Sequence, residues 1–135
     1  VGTYIHAGNK LGAMVELNCE TDFVANTPDF QGLVRDIAMH IAAAKPRFAT
    51  RDEVTQEILD KEKEIAAHMA KESGKPDNII EKIVTGKMEK FYEENCVLEQ
   101  PFVKDTNVTV QELIKQKIAL LGENIVIGRF ARFEI

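Results

Sequence analysis

The chain has 135 residues, and 44% of them are hydrophobic, which is enough for one ordinary core but too little for two. We therefore expect a single domain over residues 1–135. Its 17 Lys and Arg against 22 Asp and Glu give a formal charge of −5, without a basic block to neutralise phosphates, so direct binding of nucleic acid is not expected. The longest apolar-rich stretch, residues 37–44, is far shorter than the roughly 20 residues that cross a bilayer, so no membrane span is expected.

The cysteines also bear on the compartment. Cys19 and Cys96 are too few for the disulfide framework of a small secreted domain, and they lack the spacing of a zinc site. The chain begins with Val1 and shows no basic start followed by an apolar run, so no export signal is visible. Both observations favour free thiols in a reducing compartment.

The start of the chain predicts a β-hairpin. Residues 3–6 and 11–19 are β-prone, and the Gly and Asn in residues 7–10 mark a turn between them. In the second run, apolar residues at the odd positions from Leu11 to Cys19 alternate with mostly polar ones. This alternation predicts a sheet that is covered on one face only, and the cover is expected to be helical.

A first helix is predicted directly after the hairpin. Thr27 can cap it, and Pro28 suits its first position. The helix is expected to end before Pro46. Its apolar positions follow the 3.6-residue spacing of one helix face: Phe30, Leu33, Val34, Ile37, Ala38 and Ile41.

The middle of the chain predicts a protruding helical hairpin. Residues 50–53 have the form of a capping box, and the charged run that follows is expected to end at Gly74. A further apolar stripe after Pro76 predicts the second arm, although Gly86 weakens its middle. The charged run is interpreted as a solvated face rather than a docking surface.

The last third returns to strands. Residues 96–103 are β-like, but Pro101 confines them to an edge or a bulge. Residues 109–112 form another capping box, with Gly122 placed to end that helix, and residues 125–135 alternate as a strand. Together the elements predict an α+β fold with a small antiparallel sheet, of about three strands, packed against helices.

No strong catalytic or metal-binding pattern is present. Cys19 with His6 as base and Asp22 as orienting acid is one candidate triad, but Cys19 lies on the apolar strand face, where cysteines are usually inert. The three histidines are too scattered for metal ligation, and no phosphate-binding glycine loop occurs. We expect neither an enzyme nor a cofactor or metal.

The junction at residues 20–24 has two interpretations. An alternating strand ends there in a polar, turn-prone segment that carries the large aromatic Phe23. On pattern alone, a phenylalanine in such a place is more often a core plug than a contact for a partner.

Several segments resemble one protein family, elongation factor Ts. They follow the expected order over essentially the whole chain, and the most specific is the ten-residue block at residues 16–25. The others are GTYIH at residues 2–6, AMHIAA at 38–43, SGKP at 73–76, QPFV at 100–103 and GENI at 122–125. The family's fold is α+β, with a three-stranded antiparallel sheet against helices, in agreement with the pattern of elements.

The resemblance implies a function and a site. Members of this family act as guanine-nucleotide exchange factors for elongation factor Tu in translation elongation, without covalent chemistry. The resemblance implies that the 21–24 segment, formed by Thr21, Asp22, Phe23 and Val24, enters the partner's GTPase domain, where the phenylalanine wedges near the magnesium site. Further contacts with the partner are implied for Leu121 and Gly122, at the same domain, and for His6, at a β domain.

Departures from the family pattern lead to further expectations. Relatives start with a small helical module, and this chain begins after it. Longer relatives have two sheet-containing halves, whereas this chain has one, as in shorter members that pair, so we expect a homodimer. Gly128 stands where relatives usually carry a basic residue, which puts any contact from that position in question.

The short form suits a bacterial cytoplasm or, alternatively, a chloroplast stroma. The alternative function is a non-catalytic interaction or ribosome-associated domain of the same family.

Overall fold

A computed structural model describes all residues from 1 to 135. Short 3-10 turns lie at Arg51–Glu53 and Val97–Glu99. No helix is both long and apolar enough to cross a membrane. The elements in chain order are β1 Gly2–Ile5, β2 Leu11–Asn18, α1 Asp22–Ala25, α2 Pro28–Ala44, α3 Gln56–Glu72, α4 Asp77–Asn95, β3 Pro101–Phe102, β4 Asp105–Thr109, α5 Val110–Leu121 and β5 Val126–Glu134.

The architecture is α+β, as predicted. β2 is the central strand of a three-stranded antiparallel sheet in the order β1-β2-β5, while β3 and β4 form a separate two-stranded sheet. Helix α2 covers one face of the larger sheet. The predicted alternation in β2 is confirmed, because Ala13, Val15 and Leu17 are buried while Met14 and Asn18 are exposed.

The main core lies between α2 and the sheet. Leu33, Ile37 and Ile41 lie along one face of the helix and are almost completely buried. Residues of α5 and of the loops join the same cluster, which links the helix to the rest of the chain. Its seventeen buried members are Ala13, Val15, Leu17, Phe30, Leu33, Val34, Ile37, Ala38, Ile41, Ala42, Ala49, Val97, Phe102, Val110, Ile114, Ile125 and Ile127.

Helix ends follow local rules at three of the predicted positions. The Thr27 hydroxyl accepts from Phe30 N–H at 3.2 Å, with Pro28 at the first helical position. The Thr109 hydroxyl accepts from Glu112 N–H at 3.2 Å, so that capping box is confirmed. Gly122 ends α5 in the left-handed region with φ 77°.

The predicted start of the charged helix is wrong. Thr50 makes no side-chain cap, and only a 3-10 turn follows it. The Glu53 carboxylate accepts instead from Ala49 N–H at 2.9 Å. The chain then passes through buried Val54, and α3 begins at Gln56 with Thr55 as its cap.

The segment at residues 96–103 is only partly a strand. A 3-10 turn occupies Val97–Glu99, and only Pro101 and Phe102 pair with a neighbour. That neighbour is β4, Asp105–Thr109, which sequence patterning missed. Its residues are mostly exposed and polar, so the strand lacks the apolar alternation by which strands are recognised.

The helical hairpin is confirmed. Helix α3 packs mainly on α4, and Gly74 turns the chain between them with φ 74°. The base of the hairpin is fixed by Arg51, whose guanidinium bonds to Glu99 and Glu89 and lies 4.2 Å from the ring centre of Tyr92. Along the hairpin, the helices expose several apolar side chains: Ile65, Met69 and Ile79.

A buried polar network ties α2 to the loop that precedes β3. His40 is fully buried, and its Nε2 lies 2.9 Å from Gln100 Oε1. Val103 N–H donates to His40 Nδ1 at 3.2 Å, so the imidazole is neutral with its proton on Nε2. Gln100 in turn donates to the Glu94 carbonyl at 2.7 Å.

Acid should destabilise the fold through this histidine. Burial lowers the pKa of His40 below its ordinary 6.5, and the bond to Gln100 only partly opposes that effect. The unfolded chain therefore binds a proton that the folded chain resists, and the stabilisation is complete above pH 6.5 but lost as the pH falls below it. We expect the free energy of unfolding in urea to fall as the pH drops below 6.5, by at most about 1.4 kcal/mol per pH unit.

Two variants isolate the effect of this group. His40→Gln removes the titration and should flatten the pH dependence of unfolding in this range. His68→Gln changes an exposed histidine on α3 and leaves the buried contact of His40 with Gln100 in place, so it is the matched control. A slope that persists unchanged in His40→Gln would contradict the assignment.

Candidate partner-binding site

The chain turns sharply where β2 gives way to α1. Thr21 caps this four-residue helix, and its hydroxyl lies 3.4 Å from Val24 N–H. Just before it, the Cys19 thiol donates to the Thr21 carbonyl at 3.3 Å. Because α1 is so short, the direction of its side chains depends on contacts outside the helix.

The side chain of Phe23 points into solvent. It is 88% exposed, whereas its neighbours Val24 and Ala25 pack against the main core. The core-plug interpretation of Phe23 is therefore wrong. The pattern misled because two smaller neighbours supply the apolar contacts of α1, which leaves the largest side chain of the turn without a buried position.

The backbone beneath Phe23 is held from its C-terminal side. The Thr27 hydroxyl donates to the Val24 carbonyl at 2.7 Å. Gln31 Nε2 donates to the Ala25 carbonyl at 2.6 Å. Phe23 is therefore an exposed aromatic on a backbone that hydrogen bonds fix on this side.

On the N-terminal side, α1 is tied to the turn between α5 and β5 by a reciprocal set of hydrogen bonds, which we call the Glu123 clasp. The Glu123 carboxylate accepts from Thr21 N–H at 2.9 Å, from the Thr21 hydroxyl at 2.6 Å and from Glu20 N–H at 3.1 Å. In return, the Glu20 carboxylate accepts from Asn124 N–H at 2.8 Å. The clasp joins residues that are about a hundred positions apart in the chain.

The clasp favours the ionised form of Glu123. The hydrogen bond from the Thr21 hydroxyl, followed by those from the Thr21 and Glu20 amides, holds the pKa of this carboxyl below its ordinary value. Charge-assisted hydrogen bonds of this kind are stronger than neutral ones. The hydrogen bonds from Glu20 and Thr21 to the Glu123 carboxylate are therefore intact at neutral pH.

Two further predicted residues lie at the same place. Gly122 ends α5 immediately before the clasp, and its N–H donates to the Ile118 carbonyl at 2.8 Å. Leu121 is half-buried against the main core. The structure thus brings Leu121 and Gly122 to the junction that carries Phe23, although their contact with a partner stays a prediction.

His6 lies elsewhere. It is exposed, its N–H donates to the Leu11 carbonyl at 2.8 Å, and Tyr4 Oη lies 2.8 Å from its Nδ1. His6 thus lies beside Leu11, the first residue of β2, whereas Cys19 follows the last residue of that strand. At 3.3 Å per residue, the strand places His6 roughly 25 Å from Cys19. The candidate triad of Cys19, His6 and Asp22 is therefore excluded, and His6 is not part of the Phe23 junction.

Sequence patterning missed the side chains that build the junction, Glu20 and Glu123. Both stand inside segments that resemble the family, but their roles depend on a contact between distant parts of the chain. A Cβ at Gly128 would lie 2.0 Å from Glu16 Oε2, so a larger residue there would require this flexible side chain to move. Glu16 instead pairs with Arg129 at 3.1 Å.

No group of three or more His, Cys, Asp or Glu side chains is arranged to hold a metal ion.

The structure is an α+β domain that carries the exposed aromatic Phe23 on a hydrogen-bonded turn. Comparison with known proteins identifies its family. The family model described as elongation factor TS matches residues 1–135, and this chain belongs to the elongation factor Ts family.

Individual relatives support the same family assignment. The chain is 58% identical, over its full length, to the elongation factor Ts proteins of Solibacter usitatus and Geotalea uraniireducens, and it covers 64% and 62% of them. It is 54% identical, again over its full length, to the elongation factor Ts of Moorella thermoacetica and covers 66% of that protein. The chain thus spans a little under two thirds of the length of these relatives.

Proposed function

We propose that this chain is the core of a guanine-nucleotide exchange factor that promotes GDP release from elongation factor Tu during translation elongation. The observation that carries the proposal is Phe23, 88% exposed on a fixed turn, within the segment through which the family resemblance predicts contact with the GTPase. In this proposal Phe23 wedges beside the magnesium and phosphate site of the partner. Asp22, exposed next to it, supplies a carboxylate at the same contact.

One phenylalanine is not enough for this activity. Burial of a side chain of that size stabilises a complex by roughly 1.5–3 kcal/mol, while association itself costs several kcal/mol in lost freedom. A broader interface must therefore contribute. Thr21 and Val24 flank the wedge, Leu121 and Gly122 lie at the same junction, and exposed His6 at the far end of the sheet offers a second point of contact.

Exchange follows from thermodynamic linkage. If this chain binds the GTPase better when magnesium and nucleotide are weakened, then it must lower the affinity for nucleotide by the same factor. We expect the dissociation constant of the chain to be about 5- to 150-fold smaller for nucleotide-free elongation factor Tu than for the form loaded with GDP and magnesium. Isothermal titration of both forms measures this ratio.

The same titration distinguishes the exchange function from the main alternative. A non-catalytic interaction domain, or a ribosome-associated one, of the same family would bind both forms of the GTPase equally well or neither of them. Equal affinities would contradict the exchange proposal, because a ligand without differential affinity shifts no equilibrium.

We further propose that the domain forms a homodimer through its uncovered sheet face. Helix α2 covers one face of the sheet, and the other presents two rows of side chains across its three strands. The rows are Thr3, Met14 and Ala131, and Ile5, Gly12 and Phe133. Ile5, Met14 and Phe133 are all more than half exposed, and two such faces can pack together as in a β-sandwich.

A charge on this face should dissociate the dimer. Phe133→Glu places identical carboxylates near each other in a two-fold interface, so we expect the dissociation constant to rise at least about 30-fold. Met69→Glu, at an exposed apolar position on α3, is the matched control and should leave association unchanged. Sedimentation equilibrium of wild type should give twice the 15.1 kDa of one chain, and a monomeric wild type at high concentration would contradict the proposal.

We place this activity in the bacterial cytoplasm, with the chloroplast stroma as the alternative. The proposal is supported by the bacterial source of the relatives.

A further inference from the structure

Helix α1 carries Phe23 but is too short to fix its own direction. Its internal support is limited to one turn of backbone bonds, such as Ala25 N–H to the Thr21 carbonyl at 3.1 Å. A single turn is unstable in isolation, because several backbone dihedrals are fixed for each hydrogen bond that is gained. The orientation of Phe23 therefore depends on the groups that hold α1 at its two ends.

The N-terminal end depends chiefly on Glu123. One carboxylate oxygen accepts from both the Glu20 and Thr21 amides, and the other accepts from the Thr21 hydroxyl. The same hydroxyl faces Val24 N–H as the helix cap, so the carboxylate also sets the position of the cap. Since both oxygens are engaged inside the chain, Glu123 is poorly placed to act as a direct contact for a partner.

We infer that Glu123 is a positioning residue, which fixes the start of α1 so that Phe23 is oriented for entry into the GTPase partner. This inference rests on the proposed exchange function. The Glu123 clasp also links Phe23 mechanically to Gly122, so that the two predicted contact segments reach the partner as one rigid unit.

The physical benefit is preorganisation. The broader interface holds the complex together whichever way Phe23 points, so the fraction of bound complexes with a correctly oriented Phe23 sets the maximal rate. Without the clasp, α1 frays and Phe23 samples several directions, so each bound complex dislodges nucleotide less often. The loss should therefore appear in the maximal rate of GDP release more than in the concentration of chain that gives half of that rate.

Glu123→Ala tests the role in exchange. We expect the maximal rate of labelled GDP release from elongation factor Tu to fall by about tenfold, as for the loss of a charge-assisted hydrogen bond. Glu123→Gln keeps one oxygen for the two amides and should recover part of the rate. Glu93→Ala, at an exposed glutamate of α4, is the matched control and should behave as wild type.

A double variant shows whether Glu123 acts through Phe23. If it does, adding Glu123→Ala to Phe23→Ala should slow release by less than about twofold, because the group that it positions is already gone. A full tenfold further loss in the double variant would overturn the inference, since Glu123 would then act independently of the phenylalanine.

Amide hydrogen exchange of the isolated chain tests the clasp without any partner. Glu123→Ala should speed exchange of the Glu20 and Thr21 amides at least about tenfold relative to amides in α2. Unchanged exchange at those amides would overturn the clasp itself. Failure of the wild-type chain to accelerate GDP release would instead overturn the proposed function, and with it the exchange role of Glu123, while the amide result would still report on the clasp.

Discussion

Replacing Phe23 with Ala should slow GDP release from elongation factor Tu by about 10- to 100-fold, measured as the maximal rate at saturating concentrations of the chain. The phenylalanine is 88% exposed in the free chain, and in the proposed exchange function its apolar surface becomes buried in the complex. Burial of a side chain of this size is worth roughly 1.5–3 kcal/mol, and in the proposed mechanism that energy displaces the magnesium and phosphate site. The rate should therefore fall more than the affinity does.

The variant also has a clean structural control. Because Phe23 makes little contact in the free chain, the midpoint of thermal unfolding should be unchanged by the substitution. Met69→Ala removes an exposed apolar side chain of α3, and this variant should promote GDP release from elongation factor Tu at the wild-type rate. A Phe23→Ala chain with full exchange activity would show that the wedge assignment is wrong.

Replacing Ile37 with Ala should have the largest effect on stability. Ile37 is completely buried at the centre of α2, where the helix packs on the sheet. Truncation of such a side chain removes its transfer free energy and leaves a cavity, so we expect a loss of about 2–5 kcal/mol in the free energy of unfolding. Urea titration followed by circular dichroism measures this loss.

The control for the core variant is an isoleucine that the core does not use. Ile79 lies on α4, 41% exposed, and Ile79→Ala should cost less than about 1 kcal/mol. A loss below about 1 kcal/mol in Ile37→Ala would mean that the helix does not anchor the sheet as described.

The parts of the fold that sequence predicted are those set by local rules. Alternation in β2, the Thr27 cap with Pro28, and the left-handed Gly122 all depend on residues within one element or directly beside it. The α+β arrangement followed from them, because a sheet with one apolar face needs a helix to cover it.

The parts that were missed depend on contacts between elements. Strand β4 is polar and is held by its pairing with β3 rather than by a pattern of its own. Helix α3 begins at Gln56, later than predicted, because the Glu53 carboxylate accepts from Ala49 N–H and because Val54 is buried beside Phe91. Neither partner can be read from the capping-box pattern itself.

The candidate site shows the same division. Pattern alone favoured a buried Phe23, and only the resemblance to a family predicted an outward role for it. The Glu123 clasp could not be predicted from local spacing, because its two halves are separated by about a hundred residues and meet only when β5 pairs with β2.

The most direct test of the exchange function is the release of labelled GDP from purified elongation factor Tu, with and without this chain, at a fixed magnesium concentration. We predict that catalytic amounts of the wild-type chain accelerate release and that excess unlabelled GDP does not abolish the effect. No acceleration by a correctly folded chain that demonstrably binds the GTPase would contradict the exchange function and leave an interaction domain of the same family.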